Sequence, residues 1–218
     1  MQVIKLEVGR LGTNCYLAYD ANRNAVVVDP GDDAERILDE IHKHSLQVTD
    51  ILLTHGHFDH ILAADEVRRE TGAKIVACEK ELPLLSKGKN NLSIFYGSAV
   101  TVECDKTVSE GDKIQCGSME FQVLETPGHT PGGVCYYSPE GILFSGDSLF
   151  RESIGRTDFP GGSFEALITS VREKLLCLSD DTRVLPGHEE ESTIGHEKQA
   201  NPCLLYTSFF GLCHHNPK

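Results

Sequence analysis

The sequence predicts an α/β (α+β) fold of two sheets, each with helices on its outer face, and three observations carry that expectation. Short runs rich in Val, Ile and Leu alternate with longer segments of helical periodicity. The two halves share a coarse plan, strands first and helices later, with the first helix-rich part ending near residue 86. No short-period repeat and no Pro/Ser/Gly-rich tether divides the 218 residues, so one domain covering 1–218 is expected.

The elements follow in order. Residues 2–8, 14–19, 25–29, 50–54 and 74–78 read as strands of the first half, and 113–116, 119–125, 133–137, 141–145 and 182–185 as strands of the second. Asp32 or Asp33 is placed to cap a helix whose apolar face is Ala34, Ile37, Leu38 and Ile41, at offsets of three, four and seven. Residues 61–71 form another helix. Ser163 caps a further one, with Phe164, Leu167, Ile168, Val171 and Leu175 on one stripe, and residues 193–199 form the last. Residues 87–98 (KGKNNLSIFYGS) are polar and weakly periodic, which marks a surface excursion.

Composition narrows the function classes. The 20 Lys+Arg stand against 33 Asp+Glu, a formal charge of −13, and a protein this acidic repels phosphate backbones, so nucleic acid is not its partner. The N-terminus has no apolar stretch with a small-residue cleavage site, and no apolar run approaches the roughly 18 residues a membrane span needs. The expectation is a cytoplasmic protein without a membrane partner. Eight cysteines, none paired as CxxC and several inside apolar runs, read as reduced, partly buried thiols.

The chemistry concentrates in Thr54-His55-Gly56-His57-Phe58-Asp59-His60, directly after the apolar run 51–53. Four potential ligands within six residues are too dense for core packing, because each buried imidazole or carboxylate needs its own polar partner. Three more apolar runs end in a ligand-type residue beside Gly or Pro: FQVLETPGH at His129, GILFSGD at Asp147 and TRVLPGH at His188. Loops at strand ends are where rigid sheets hold sites in register, so these ends converge if they lie on one rim. One three-histidine site would leave half of the five imidazoles and two carboxylates unused, whereas two adjacent ions sharing a carboxylate use them all. Imidazole and carboxylate without thiolate suit zinc, iron or manganese, zinc first among them.

The motif THGHFDH, followed in order by His129, Asp147 and His188, resembles the metallo-β-lactamase superfamily over residues 55 to 188. That resemblance implies a four-layer αββα sandwich. It implies two divalent ions, one held by His55, His57 and His129, the other by Asp59, His60 and His188, with Asp147 bridging. It also implies that Asp29 orients a ligand histidine from behind; a turn residue before Pro30-Gly31 is the alternative reading of Asp29.

Within that superfamily the block GDSLF…GRTDFPGG resembles the glyoxalase II-like thioester hydrolases, and a similar stretch occurs in persulfide dioxygenases. The resemblance implies a small-molecule thioester substrate of hydroxyacylglutathione type, attacked by a metal-bridging hydroxide with Asp59 as the catalytic carboxylate. Arg151 and Arg156 are candidate substrate contacts; a turn in which Arg156 pairs with Asp158 is the alternative. Only 30 residues follow His188, so the helical C-terminal domain of the classical glyoxalase II pattern has no counterpart, and the likeness is to short, single-domain bacterial members. Cys213-His214-His215 reads as a solvated tail. A mononuclear-iron persulfide dioxygenase and a lactone or phosphoester hydrolase are the competing activities; an amide substrate is disfavoured because its amine must be protonated as it leaves.

Overall fold

A computed structural model describes residues 1–205, so the expectation for Cys213-His214-His215 lies outside the described residues. The first sheet is built from β1 (Gln2–Val8), β2 (Thr13–Tyr19), β3 (Asn24–Val28), β4 (Gln47–Leu52), β5 (Lys74–Cys78) and β6 (Lys106–Val108), in that spatial order. β1 to β3 are antiparallel and β3 to β6 parallel. The parallel strands are joined through α1 (Ala34–Lys43), α2 (Ala64–Thr71) and the single turn α3 (Leu82–Leu85).

The second sheet repeats the plan. β7 (Lys113–Cys116), β8 (Met119–Glu125), β9 (Val134–Ser138) and β10 (Ile142–Gly146) form an antiparallel run. After the small hairpin β11 (Leu149–Phe150) and β12 (Ser153–Ile154), the helix α4 (Phe164–Ser170) continues through a π turn over Val171–Leu175. It leads to β13 (Arg183–Pro186), parallel to β10, then to β14 (Ser192–Thr193), α5 (Ile194–Ala200) and α6 (Pro202–Leu205). Spatial order is β14-β13-β10-β9-β8-β7.

Period-two alternation explains the layering. In β2 and β3, Cys15, Leu17, Ala25 and Val27 turn to the helices α1 and α2, while Tyr16, Ala18, Val26 and Val28 turn to the other sheet. Phe121, Val123, Tyr136 and Phe144 answer from the second sheet. Leu124, Cys135, Leu143 and Val184 face Leu167, Val171, Leu175 and Ile194 beyond it. Three apolar layers between four structural ones make the expected αββα sandwich, and strands buried on both faces read as near-continuous apolar runs. Phe144 is fully buried, with its ring 5.4 Å from that of Tyr16. Phe144→Ala should therefore cost about 3–5 kcal/mol in urea unfolding; a loss below about 1 kcal/mol would mean the sheets repack freely.

Several boundaries differ from the sequence reading, each for a local reason. The last α-helix of the first half ends at Leu85, near the expected residue 86, but the first sheet gains a sixth strand, β6, which is three residues long and carries no readable period. The strand expected from residue 50 starts at Gln47, where buried Val48 alternates with exposed Gln47 and Thr49. The helix expected from residue 61 starts at Ala64; Phe58–His60 instead wind into a 3-10 turn that gives Asp59 and His60 their directions. Neither Asp32 nor Asp33 caps α1. Asp33 holds the cap position at φ 51° without a side-chain cap bond, and its Oδ2 accepts from Gly9 N at 2.9 Å, pinning the β1–β2 turn. Ser163 and Thr193 do cap their helices, accepting from Ala166 N and His196 N. The excursion 87–98 exposes Phe95 but buries Asn91, whose carbonyl accepts from Phe58 N at 3.0 Å.

Cys15, Cys78, Cys104, Cys116, Cys135 and Cys177 are thiols outside any disulfide. Among those residues no helix is long and apolar enough to cross a membrane.

Candidate metal centre

The four apolar runs end on one rim, and hydrogen bonds between the sheets hold them there. Tyr136 Oη of β9 donates to Leu53 O at 2.9 Å, fixing the exit of β4 just before His55. From β2, Tyr16 Oη and Asn14 Nδ2 donate to Pro186 O at 2.7 and 3.0 Å, fixing the exit of β13 just before His188. Gly187 then lets the chain pass through the site: a Cβ there would stand 2.2 Å from Asp147 Oδ1 and 2.7 Å from His60 Cε1.

The rim brings all seven sequence-predicted donors together. His55, His57 and His129 form one group of mutually close donor atoms, and Asp59, His60 and His188 a second. Asp147 stands between them, with Oδ2 3.4 Å from His129 Nε2 and 3.8 Å from His188 Nε2, and Oδ1 3.4 Å from His60 Nε2. Both groups could hold a metal ion. Asp29, His55 and His60 also lie close enough, but both Asp29 oxygens are already occupied.

Those occupied oxygens set ring orientations. Asp29 Oδ1 accepts from Thr54 N at 2.7 Å, and Oδ2 accepts from Thr54 Oγ1 at 2.6 Å and from His60 Nδ1 at 2.9 Å. With its only proton spent on Asp29, the Thr54 hydroxyl can only accept from His55 Nδ1, 3.1 Å away. One buried carboxylate thus turns Nε2 of both His55 and His60 toward the site. His129 is set by a different group: its Nδ1 donates to the carbonyl of Arg156 at 2.7 Å.

Electrostatics divides the imidazoles. Burial, reinforced by the neighbouring histidines, holds His55 well below its ordinary pKa, and burial with His129 brings His57 down to about 3. Both are neutral acceptors at pH 7. Burial opposes charge on His60 too, yet Asp147, Asp59 and Asp29 overcome it and push that group up to about 10. Asp59 is held below the usual carboxylate range because His60 and His188 outweigh its burial. A pocket that draws positive charge this strongly against burial fits a cation. So do its orphaned atoms: His55 Nε2, His60 Nε2 and Asp147 Oδ1 are buried without a hydrogen-bond partner.

Each candidate substrate cation has a partner of its own in the fold. Arg156 donates twice to Asp158, at 2.8 Å each, and its guanidinium carbon sits 3.8 Å from the Phe159 ring centroid. It is the backbone carbonyl of Arg156, not the guanidinium, that reaches the centre. Arg151 is exposed, with Nη1 3.5 Å from Glu191 O. Sequence reasoning missed Thr54 and Phe159, whose ring lies edge-on to His57 at 5.6 Å. Thr54 carried a signal in its place before His55; Phe159 stands in the GRTDFPGG block, but nothing in that block pairs it with His57, 102 positions away.

Residues 8–188 match the family described as the metallo-beta-lactamase superfamily. The hydroxyacylglutathione hydrolase GloC of Haemophilus influenzae is 36% identical over 208 residues, covering 94% of this chain and 98% of that protein. The crystal structure of the BLEG-1 B3 metallo-beta-lactamase superposes with a TM-score of 0.89 at 38% identity, over 94% of this chain and all of that one. The crystal structure of TTHA1623 in a di-iron-bound form superposes with a TM-score of 0.82 at 37% identity, over 91% of this chain and 98% of that one.

Proposed function

Since the chain belongs to the metallo-beta-lactamase superfamily and shares its named hydrolase relatives' metal-dependent chemistry, we propose that its substrate is a thioester of hydroxyacylglutathione type. In this reading His55, His57 and His129 would hold one divalent ion and Asp59, His60 and His188 the other, with Asp147 available to both. The observation that carries it is the pair of three-donor groups with Asp147 between them. A single iron on two histidines and an aspartate would leave three of the five imidazoles, His60 and His188 among them, without work. We read the ions as zinc; the nitrogen and oxygen donors also suit iron and manganese.

When bound, the ions would lower the pKa of a water between them and polarise the substrate carbonyl. The protein's own residues do the rest. Asp59 Oδ2 lies 3.2 Å from His188 Nε2 and 3.3 Å from Thr13 Oγ1, and the nearby imidazoles keep it ionised. It is therefore placed to align the attacking water and accept its proton. Phe159 lines the centre, edge-on to the His57 ring. The leaving thiolate, with an ordinary pKa of about 8.5, departs without a proton donor, whereas a leaving amine needs one. That difference favours a thioester over a β-lactam, and Arg151 is the cation we assign to an anionic substrate.

Purified protein should contain about two ions per chain and hydrolyse a hydroxyacylglutathione faster than a β-lactam, a lactone or a phosphodiester. One iron per chain with oxygen uptake on glutathione persulfide would replace this reading with the dioxygenase one. Preferred turnover of another ester would keep the centre and change the substrate.

A further inference from the structure

We propose that Glu81 is a positioning residue for the three-histidine group: its carboxylate clamps the two loops that carry His55, His57 and His129 at a fixed separation. This rests on the reading of those histidines as ligands of one ion.

Glu81 ends the 3-10 turn Glu79–Glu81 that follows β5, and it is 1% exposed. Its two oxygens point in different directions. Oε2 accepts from Gly56 N at 2.7 Å, and Oε1 accepts from Gly132 N at 2.7 Å. Gly56 stands between His55 and His57; Gly132 comes three residues after His129. A single side chain behind the centre therefore ties together the two loops that supply all three imidazoles. The loops share one direct backbone bond, Val134 N to Thr54 O at 2.9 Å. Glu81 adds a further attachment from behind the loops, beside the contact of His57 Nδ1 with His129 Nε2 at 2.9 Å.

The two glycines show how closely this turn is pressed into the loops. A Cβ on Gly132 would stand 2.6 Å from Glu81 N and 2.7 Å from the carbonyl carbon of Lys80; one on Gly56 would stand 3.0 Å from Leu84 Cβ. Glu81 belongs to none of the donor groups that could hold an ion, so it contributes as a brace. An apolar side chain could fill the space, but it would leave two buried N–H groups unpaired. Glutamine could serve one of them and would present its own N–H₂ to the other. Only a group that accepts at both ends satisfies both loops, which accounts for a buried carboxylate at this position despite its desolvation cost.

The test compares wild type with Glu81→Gln and Gly132→Ala, the second pressing on the same contact from the opposite loop. In metal-stripped protein, amide hydrogen exchange at Gly56 or Gly132 should accelerate at least about 10-fold in E81Q, while Val134 stays protected. In zinc titrations against a competing chelator, one of the two uptake steps should weaken by about 10- to 100-fold and the other hold. Imidazole NMR shifts of His57 and His129, rather than His188, should report the weakened step. Should E81Q not fold, G132A carries both measurements with the native carboxylate in place. Unchanged exchange at both glycines, or equal weakening of both steps, would overturn the clamp. Wild type that takes up no zinc would instead overturn the ligand reading, and the exchange arm would still decide whether Glu81 holds the loops.

Discussion

Asp147→Ala should strip both ions and lower turnover by on the order of 10³-fold in one step, a loss as large as removing a group that acts directly on transition-state charge. Asp147 stands between the two three-donor groups, with its oxygens 3.4 Å from His60 Nε2 and from His129 Nε2. Without it, five imidazoles and Asp59 would have to hold two divalent charges that repel each other at short range. Asp147→Asn keeps the shape and one oxygen donor but loses the charge, so it should retain more metal than Ala and less than wild type. The measurement is metal content after gel filtration beside turnover of a hydroxyacylglutathione. Ala protein that keeps two ions and full activity would remove Asp147 from the centre.

Asp29→Ala should lower unfolding stability by about 3–5 kcal/mol and weaken uptake at both donor groups, because a buried network loses the partner that all its donors share. Three donors converge on that carboxylate: Thr54 N, Thr54 Oγ1 and His60 Nδ1, at 2.6 to 2.9 Å. His60 loses its orientation directly and His55 loses it through Thr54, so both ions should bind about 10- to 100-fold more weakly. Asp29 also sits at φ 48°, a left-handed backbone that Asp and Asn tolerate better than Ala. Asp29→Asn therefore separates the backbone from the hydrogen bonds. Its amide N–H₂ must face either Thr54 N or, at the other end, both the Thr54 hydroxyl and His60 Nδ1, and in the second case His60 carries its proton on Nε2, pointing into the site. Chelator competition and urea unfolding read the two effects apart. A D29A protein with wild-type stability and metal affinity would mean that His55 and His60 hold their orientation without Asp29.

The expectations that failed did so for one kind of reason. Periodicity reports burial over several residues, so the three-residue β6 and the two-residue strands of the β11–β12 hairpin and β14 escaped it. The helix expected from residue 61 was placed by its apolar spacing, but the donors at Asp59 and His60 are set by a tight turn that delays the helix to Ala64. Asp33 has the residue type of a cap and the position of one, yet its carboxylate goes to Gly9 N, a partner 24 residues away. For Arg156 the sequence left two readings, and the pairing of its guanidinium with Asp158 is the one the structure contains.

What the sequence by itself determined is local and chemical: which strands are buried on both faces, and which seven side chains stand where apolar runs break off. Both are written in residue type and spacing, because strand burial has a period of two and because imidazoles crowded beside glycine have no bland packing role. Only the tertiary structure decided what acts on those side chains. Thr54 and Asp29 meet across 25 positions, His129 and the Arg156 carbonyl across 27, and Glu81 and Gly132 across 51. Such partners are chosen by the distance between loops once two sheets have closed on each other, and a backbone carbonyl or amide is the same in every residue, so no residue letter can announce it.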